Sequence, residues 1–146
     1  DVGMYCGIAQ VFDFVAVGEK IWFTEWVENN IGVVDTSIPL PFSIDINTNQ
    51  ITLEKGQTVN ITLEYTIAPN STGSPIDVIV NYSTTSTFSD ITIKPELNDF
   101  SLSDDPITIS VEITASEYAL SGTHKVLLGA YTYDVSISQF ITVTVV

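Results

Sequence analysis

The sequence has no arginine, four lysines and a single cysteine, and charged residues make up only 15% of its 146 positions. Because 18 residues are acidic, the net charge is −14 at pH 7. Nucleic-acid binding needs a basic stripe that displaces counterions, so this composition excludes it. An acidic protein is also a poor ligand for an anionic membrane surface. No run of about 18 apolar residues occurs, so we predict no membrane span.

Serine and threonine supply most of the polarity, which is typical of a secreted protein, and 45% hydrophobic residues are enough for one core. We therefore predict an extracellular location. The lone cysteine, Cys6, excludes an internal disulfide, and we expect it to behave as a small buried apolar side chain.

Groups that could perform catalysis are scarce. His124 is the only histidine, and we expect its ring in the core or at its rim. No Gly-x-Ser-x-Gly elbow occurs, and one Cys with one His cannot form a zinc site. Asp99, Ser103, Asp104 and Asp105 offer oxygen ligands to a hard cation, but without calcium-loop spacing we favour a solvated turn. The sequence predicts no enzyme, no metal and no cofactor.

From residue 42 onward the dominant period is two, which indicates strands with one buried face. Apolar residues take every second position in 59–67, 76–82, 107–113 and 141–145, with polar residues between them. Gly, Pro and Asp clusters separate these segments. The sequence therefore predicts an all-β fold, a single antiparallel immunoglobulin-like β-sandwich that occupies 42–146.

Two stretches support this fold by resemblance: ITLEKGQTVNITLEYTI, and later ITISVEITASEYALSGTHKVLLGAYTYDVSISQFITVTVV. Together they resemble the immunoglobulin-like modules of archaeal and bacterial surface proteins and of secreted proteases. The match departs at Glu117, and at His124, where those modules usually have an aromatic residue. The resemblance implies the sandwich, but such modules serve many functions and imply no activity.

The first 41 residues are not needed by such a module. The chain begins DVGMYCGIAQVFDFVAV, in which alternate positions are apolar except for one glutamine. We call these positions the donor row: Met4, Cys6, Ile8, Gln10, Phe12, Phe14 and Ala16. Gly18-Glu19-Lys20 is short enough for a hairpin. We therefore divide the chain into 1–17, a segment 18–41 that forms a strand and leads into the sandwich, and the sandwich 42–146.

Three interpretations of residues 1–17 compete. They form the first strand of their own sandwich, or an exposed tail, which their hydrophobicity opposes, or a donor strand that completes the sandwich of another subunit. In the third case main-chain hydrogen bonds supply the pairing and alternate side chains fill pockets. A head with one donor strand makes heterologous contacts, and heterologous contacts that do not close produce filaments.

The third arrangement is similar to that of the archaeal thread filament subunits, which are secreted, glycosylated β-sandwich proteins. The resemblance implies a homopolymer of identical subunits, with the donor row as the inserted strand. It also implies N-linked glycans on the three Asn-x-Ser/Thr motifs, at Asn60, Asn70 and Asn81. Contacts with other surfaces or filaments stay open.

A second function, from a different class, also stays open. A monomeric cell-surface or carbohydrate-binding module would contact its ligand through exposed aromatic residues. The candidates for such contacts are Trp22, Trp26, Tyr131 and Tyr133.

Overall fold

The computed structural model describes residues 11–25, 30–37, 39–69, 75–85, 90–132 and 135–146. The chain divides into two compact units, Asp1–Leu40 and Pro41–Val146, and we call the second unit the head. The described residues form strands and turns without a helix, so the predicted all-β class is confirmed. It follows that none of them lies in a helix that could cross a bilayer. The proposed division at residue 17 stays a prediction.

The first unit contains one antiparallel sheet of three strands, the N-terminal sheet: β1 (Val11–Val17), β2 (Lys20–Glu25) and β3 (Asn30–Asp35), in the order β1-β2-β3. The predicted hairpin is present, with Val17 opposite Lys20 and a turn at Gly18-Glu19. Gly18 has φ +61°, which glycine adopts without the Cβ clash that other residues meet. The third strand was not predicted from the sequence.

In the described part of the head, nine strands form two sheets. One has the order β4-β6-β10-β8 and the other β5-β12-β11-β7-β9. Their bounds are β4 (Phe42–Ile46), β5 (Gln50–Leu53), β6 (Thr58–Ile67), β7 (Ile76–Thr84), β8 (Ile91–Pro95), β9 (Asp99–Leu102), β10 (Ile107–Ala115), β11 (Gly122–Tyr131) and β12 (Ser136–Val145). Neither sheet contains β1, so for residues 11–17 the first-strand interpretation does not hold.

One strand pair departs from the predicted antiparallel arrangement. β4 pairs antiparallel with β6, whereas β5, which follows directly in the chain, pairs parallel with β12 in the other sheet. The chain crosses between the sheets at Asn47–Asn49 without reversing direction, and this explains the parallel pair. Alternation reveals which face of a strand is buried but not which strand lies beside it.

The core lies between the two sheets, on the faces that alternation predicts. In β6 the apolar row is buried at Ile61, Leu63 and Tyr65, while the residues between them are exposed. Tyr82, last in the β7 row, is instead 45% exposed, because β7 extends there beyond its neighbour β9. The rest of the core comes from every strand of the head, including Phe42, Leu53, Val78, Ile93, Leu102, Ile109, Val126 and Ile141.

Candidate functional site

The N-terminal sheet exposes large apolar side chains on both of its faces. Among its described residues none belongs to the buried core, whereas Phe14 is 71%, Val15 57% and Ile31 73% exposed. A sheet needs a covered apolar face for stability, since hydrogen bonds alone give little net stabilisation. This sheet is therefore a surface that favours contact with another apolar surface.

The strand register separates the residues of this sheet into two faces. On one face Phe14, Phe23 and Gly32 lie in one row across the strands, and on the other Val15 and Trp22 are neighbours. A Cβ at Gly32 would lie 2.2 Å from the Phe23 ring, so the ring covers the glycine. An aromatic ring packed over a glycine in this way stabilises the pairing of two strands.

Among the described residues only β2 pairs with β1, so the other backbone edge of β1 is open. In its hairpin with β2, Val17 and Lys20 close a turn of two residues, so odd-numbered residues of β1 form the hydrogen-bonded pairs. The backbone groups of Phe14 and Ala16 then point away from β2. Consistent with this, the Phe14 N–H donates to Oδ1 of the adjacent Asp13 (2.9 Å) and not to β2.

Three charged residues of the N-terminal sheet lie at its turn end: Glu19, Lys20 and Asp35. Lys20 lies opposite Asp35, and Asp35 accepts hydrogen bonds from Oγ (2.6 Å) and N (3.0 Å) of Ser37. These hydrogen bonds, with a smaller contribution from Lys20, lower the pKa of Asp35. Asp35 therefore stays ionised at neutral pH.

The donor row is only partly described. Met4, Cys6, Ile8 and Gln10 lie outside the described residues, and Phe12 is described only as a backbone position of β1. Phe14 and Ala16 are exposed and belong to the strand with the open edge. The donor role of these residues stays a prediction.

Two of the three predicted glycan acceptors lie in described strands, and Asn70 lies outside the described residues. Asn60 is exposed on β6, beside Glu112 of β10. Asn81 is half-buried on β7 beside Gly129, and its side-chain oxygen is buried without a hydrogen-bond partner. The side-chain amide of Asn60 is therefore more accessible than that of Asn81.

We expect Asn60 to carry a glycan in a larger fraction of molecules than Asn81, because the oligosaccharide must project from the amide without entering the fold. Mass spectrometry of peptides from the protein of its native source measures both occupancies. Asn60→Gln should remove one glycan mass and leave the Asn81 peptide unchanged. A fully modified Asn81 beside an unmodified Asn60 would contradict this ranking.

The remaining candidate residues do not form one site. His124 is half-buried, with Nε2 3.2 Å from the Leu120 carbonyl oxygen, which fits a ring at the rim of the core. Asp99 is the first residue of β9, whereas Asp104 and Asp105 follow the end of that strand, and all three are exposed. Among the described residues, no group of three His, Cys, Asp or Glu is arranged to hold a metal ion.

The predicted ligand-binding aromatics are divided between the two units. Trp22 is 41% exposed on β2, and Tyr131 is 40% exposed on β11 of the head. Trp26 and Tyr133 lie outside the described residues. The sequence drew attention to these rings but not to the open edge of β1, which follows only from the register.

Neither a protein-family model nor a curated protein matches the chain. Solved structures with a similar fold include domains 4 and 5 of the S-layer protein SbsC, at 13% identity and TM-score 0.53, covering 87% of this chain and 65% of that one. The native E. coli alpha-2-macroglobulin matches at 12% identity and TM-score 0.57, over 87% of this chain and 8% of that one.

A shorter protein is similar over nearly its whole length. The FixG-related protein from Vibrio parahaemolyticus has 9% identity and TM-score 0.57, covering 73% of this chain and 97% of that one. At these identities the similarity shows the fold alone, and it confirms an immunoglobulin-like β-sandwich.

Proposed function

We propose that this chain is the repeating subunit of an extracellular filament. The N-terminal segment of each subunit completes the sandwich of the next one, so that identical subunits join head to tail by donor-strand complementation. The role is structural, with no catalytic step and no cofactor apart from N-linked glycans. The subunit acts as both donor and acceptor, which produces a polymer because such contacts do not close.

The observation that carries the proposal is the contrast between the two units. The head encloses a continuous core, whereas six apolar side chains of the N-terminal sheet are at least 41% exposed: Phe14, Val15, Val17, Trp22, Ile31 and Val34. Full burial of such a side chain contributes about 1.5–3 kcal/mol. Burying the side chains on the donor-row face, such as those of Phe14 and Val34, in a neighbouring subunit therefore contributes towards the free energy that association requires.

The extracellular location has separate support. Low charge with abundant serine and threonine is typical of secreted chains, and the similar structures include an S-layer protein and a conjugative transposon lipoprotein from Bacteroides eggerthii. The S-layer similarity also agrees with a structural role at a cell surface. Net charge −14 keeps unassembled subunits apart and soluble until the apolar segments engage.

The test is the state of the purified full-length chain as its concentration is raised. We expect thin rods in electron micrographs and a matching fast-sedimenting fraction, both increasing above a threshold concentration. A protein that remains monomeric over this range contradicts the proposal. If that monomer then binds members of a panel of sugars, with loss of binding in Trp22→Ala, the carbohydrate-binding function replaces it.

A further inference from the structure

β12 is covered on one side along only part of its length. It pairs with β11 from Ser136 to Val145, but β5 pairs with it only from Thr142 onward. We call the uncovered stretch, Ser136–Phe140, the β12 edge. Among the described residues no strand lies beside this edge, because β4, which precedes β5 in the chain, belongs to the opposite sheet.

The backbone groups at the β12 edge have a definite direction. The N–H of Thr142 donates to the Asn49 carbonyl (2.9 Å), so even-numbered residues of β12 point their N–H and C=O groups to the side of β5. By the same alternation, Ser138 and Phe140 present their backbone groups to the open side. This is an unpaired template for one more strand.

The composition of the β12 edge differs from that of the other edge strands. Proteins protect exposed edges with charges, prolines and short strands. The other four edges carry such residues: Asp45 in β4, Glu54 directly after β5, Lys94 and Pro95 in β8, and Asp99 in β9. The β12 edge has neither charge nor proline, and its Phe140 is 62% exposed. It is therefore an unprotected edge of the described head.

Beside this edge one polar side chain, that of Gln139, links the two sheets. Gln139 lies in the inward row of β12, between Ile137 and Ile141, but is exposed. Its Nε2 donates to the carbonyl of Ile44 on β4, the facing edge strand of the other sheet (2.7 Å). The outward carbonyl of an edge strand otherwise faces solvent, so the Gln139 amide is the polar group at this place that a further strand would have to pass.

We infer that the β12 edge is the acceptor for β1 of a second copy of this chain. In the contact β1 lies parallel to β12, as β5 does, so that the backbone groups of Phe14 and Ala16 bond those of Ser138 and Phe140. The side chains of Phe14 and Ala16 then lie on the same face as Gln139. The four paired residues carry no charge of their own, which matters because two copies of charge −14 repel each other elsewhere. In the contact the Phe14 N–H exchanges its hydrogen bond to the Asp13 carboxylate for one to β12. The inference rests on the proposed filament and adds the acceptor site.

A proline at a residue whose backbone N–H points to the open side of β12 tests the proposed acceptor site. Ser138→Pro removes the amide that would bond the incoming strand and fills its position with a ring, without touching the β11 ladder. Ser101→Pro on β9 is the matched control, because the Val80 N–H bonds the Asn98 carbonyl, so Ser101 faces outward at the opposite edge of the same sheet. We expect Ser138→Pro to raise the threshold concentration for rods at least tenfold and Ser101→Pro to leave it unchanged.

Hydrogen exchange of the wild-type chain gives a second readout that needs no variant. In rods the amides of Ser138 and Phe140 should exchange at least tenfold more slowly than in monomers, while Gln139, already bonded to β11, should exchange equally in both. The acceptor site is wrong if Ser138 and Phe140 exchange freely in rods, or if the Ser138→Pro variant assembles normally. Neither result contradicts the proposed filament. A wild-type chain that never forms rods overturns the filament and the acceptor together.

Discussion

Replacing Phe12 and Phe14 together by aspartate is expected to abolish polymerisation. In the assembled state both side chains would enter apolar surroundings, and burying an unpaired carboxylate there costs several kcal/mol. Because about 1.4 kcal/mol corresponds to a tenfold change in affinity, two such replacements should raise the threshold concentration for rods at least 100-fold. Sedimentation and electron microscopy over a dilution series measure this threshold.

The same chemical change on the other face of β1 is the control. Val15 and Val17 are 57% and 61% exposed and alternate with the donor row. Val15→Asp with Val17→Asp adds the same charge to the same strand, but it does not place that charge in the donor row. We expect this variant to assemble within a few-fold of the wild type. Equal loss of rods in both double variants would contradict a role for the donor row.

Truncation examines the same contact from the acceptor side. A chain lacking residues 1–17 should form no rods, and its unfilled acceptor should make it prone to aggregate. A peptide of residues 1–17 should then restore its solubility by binding in trans. If the truncated chain is unfolded and the peptide has no effect, residues 1–17 belong to the fold of their own subunit.

The faces of the head strands could be predicted from the sequence because burial on one side imposes a period of two. Ile61, Leu63 and Tyr65 are buried as that period indicates. β3 escaped prediction because Gly32 interrupts its apolar run and asparagines precede it. The Phe23 ring covers Gly32, which is a contact between strands that no local pattern records.

The candidate site could be predicted only in part, for a related reason. The donor row is a pattern within one strand, so the alternation of Phe12, Phe14 and Ala16 was readable. The β12 edge depends on where β5 stops covering β12, which is a property of two segments far apart in the chain. An open edge results from strand register and strand order, and neither can be read from the pattern of a single segment.

The stability of the head should come from its own core. Substitutions at two inward positions of β6, Leu63 and Tyr65, should change the free energy of unfolding in opposite directions. Leu63 is fully buried, and Leu63→Ala is expected to lower the free energy of unfolding by about 2–5 kcal/mol through lost burial and the cavity left behind. Tyr65 is equally buried, but its hydroxyl has no partner among the described residues. Its ring packs edge-on against Phe100, with centroids 4.9 Å apart, and Tyr65→Phe keeps that contact.

Tyr65→Phe should raise the free energy of unfolding by about 1 kcal/mol, because it removes an unpaired buried hydroxyl. The pH dependence provides a second signature. Burial raises the pKa of Tyr65 to about 12, from 10.0 when it is solvated. The unfolded chain therefore loses the Tyr65 proton at a lower pH than the folded chain. The contribution of this proton to the free energy of unfolding is at its full value below pH 10 and decreases as the pH rises towards 12. In Tyr65→Phe this part of the alkaline loss should be absent.

Urea unfolding at pH 8 and pH 11, in the non-assembling Phe12→Asp, Phe14→Asp background, measures both effects. Circular dichroism follows mainly the strands of the head, whereas tryptophan fluorescence follows the first unit, because both tryptophans lie before residue 41. Leu63→Ala should shift the circular dichroism transition without a matching change in the tryptophan fluorescence. If Tyr65→Phe destabilises the head as much as Leu63→Ala does, the hydroxyl has a partner in solution and the core is not the one described. If both probes shift together, the two units unfold as one, and the N-terminal sheet draws its stability from the head and not from a neighbouring subunit.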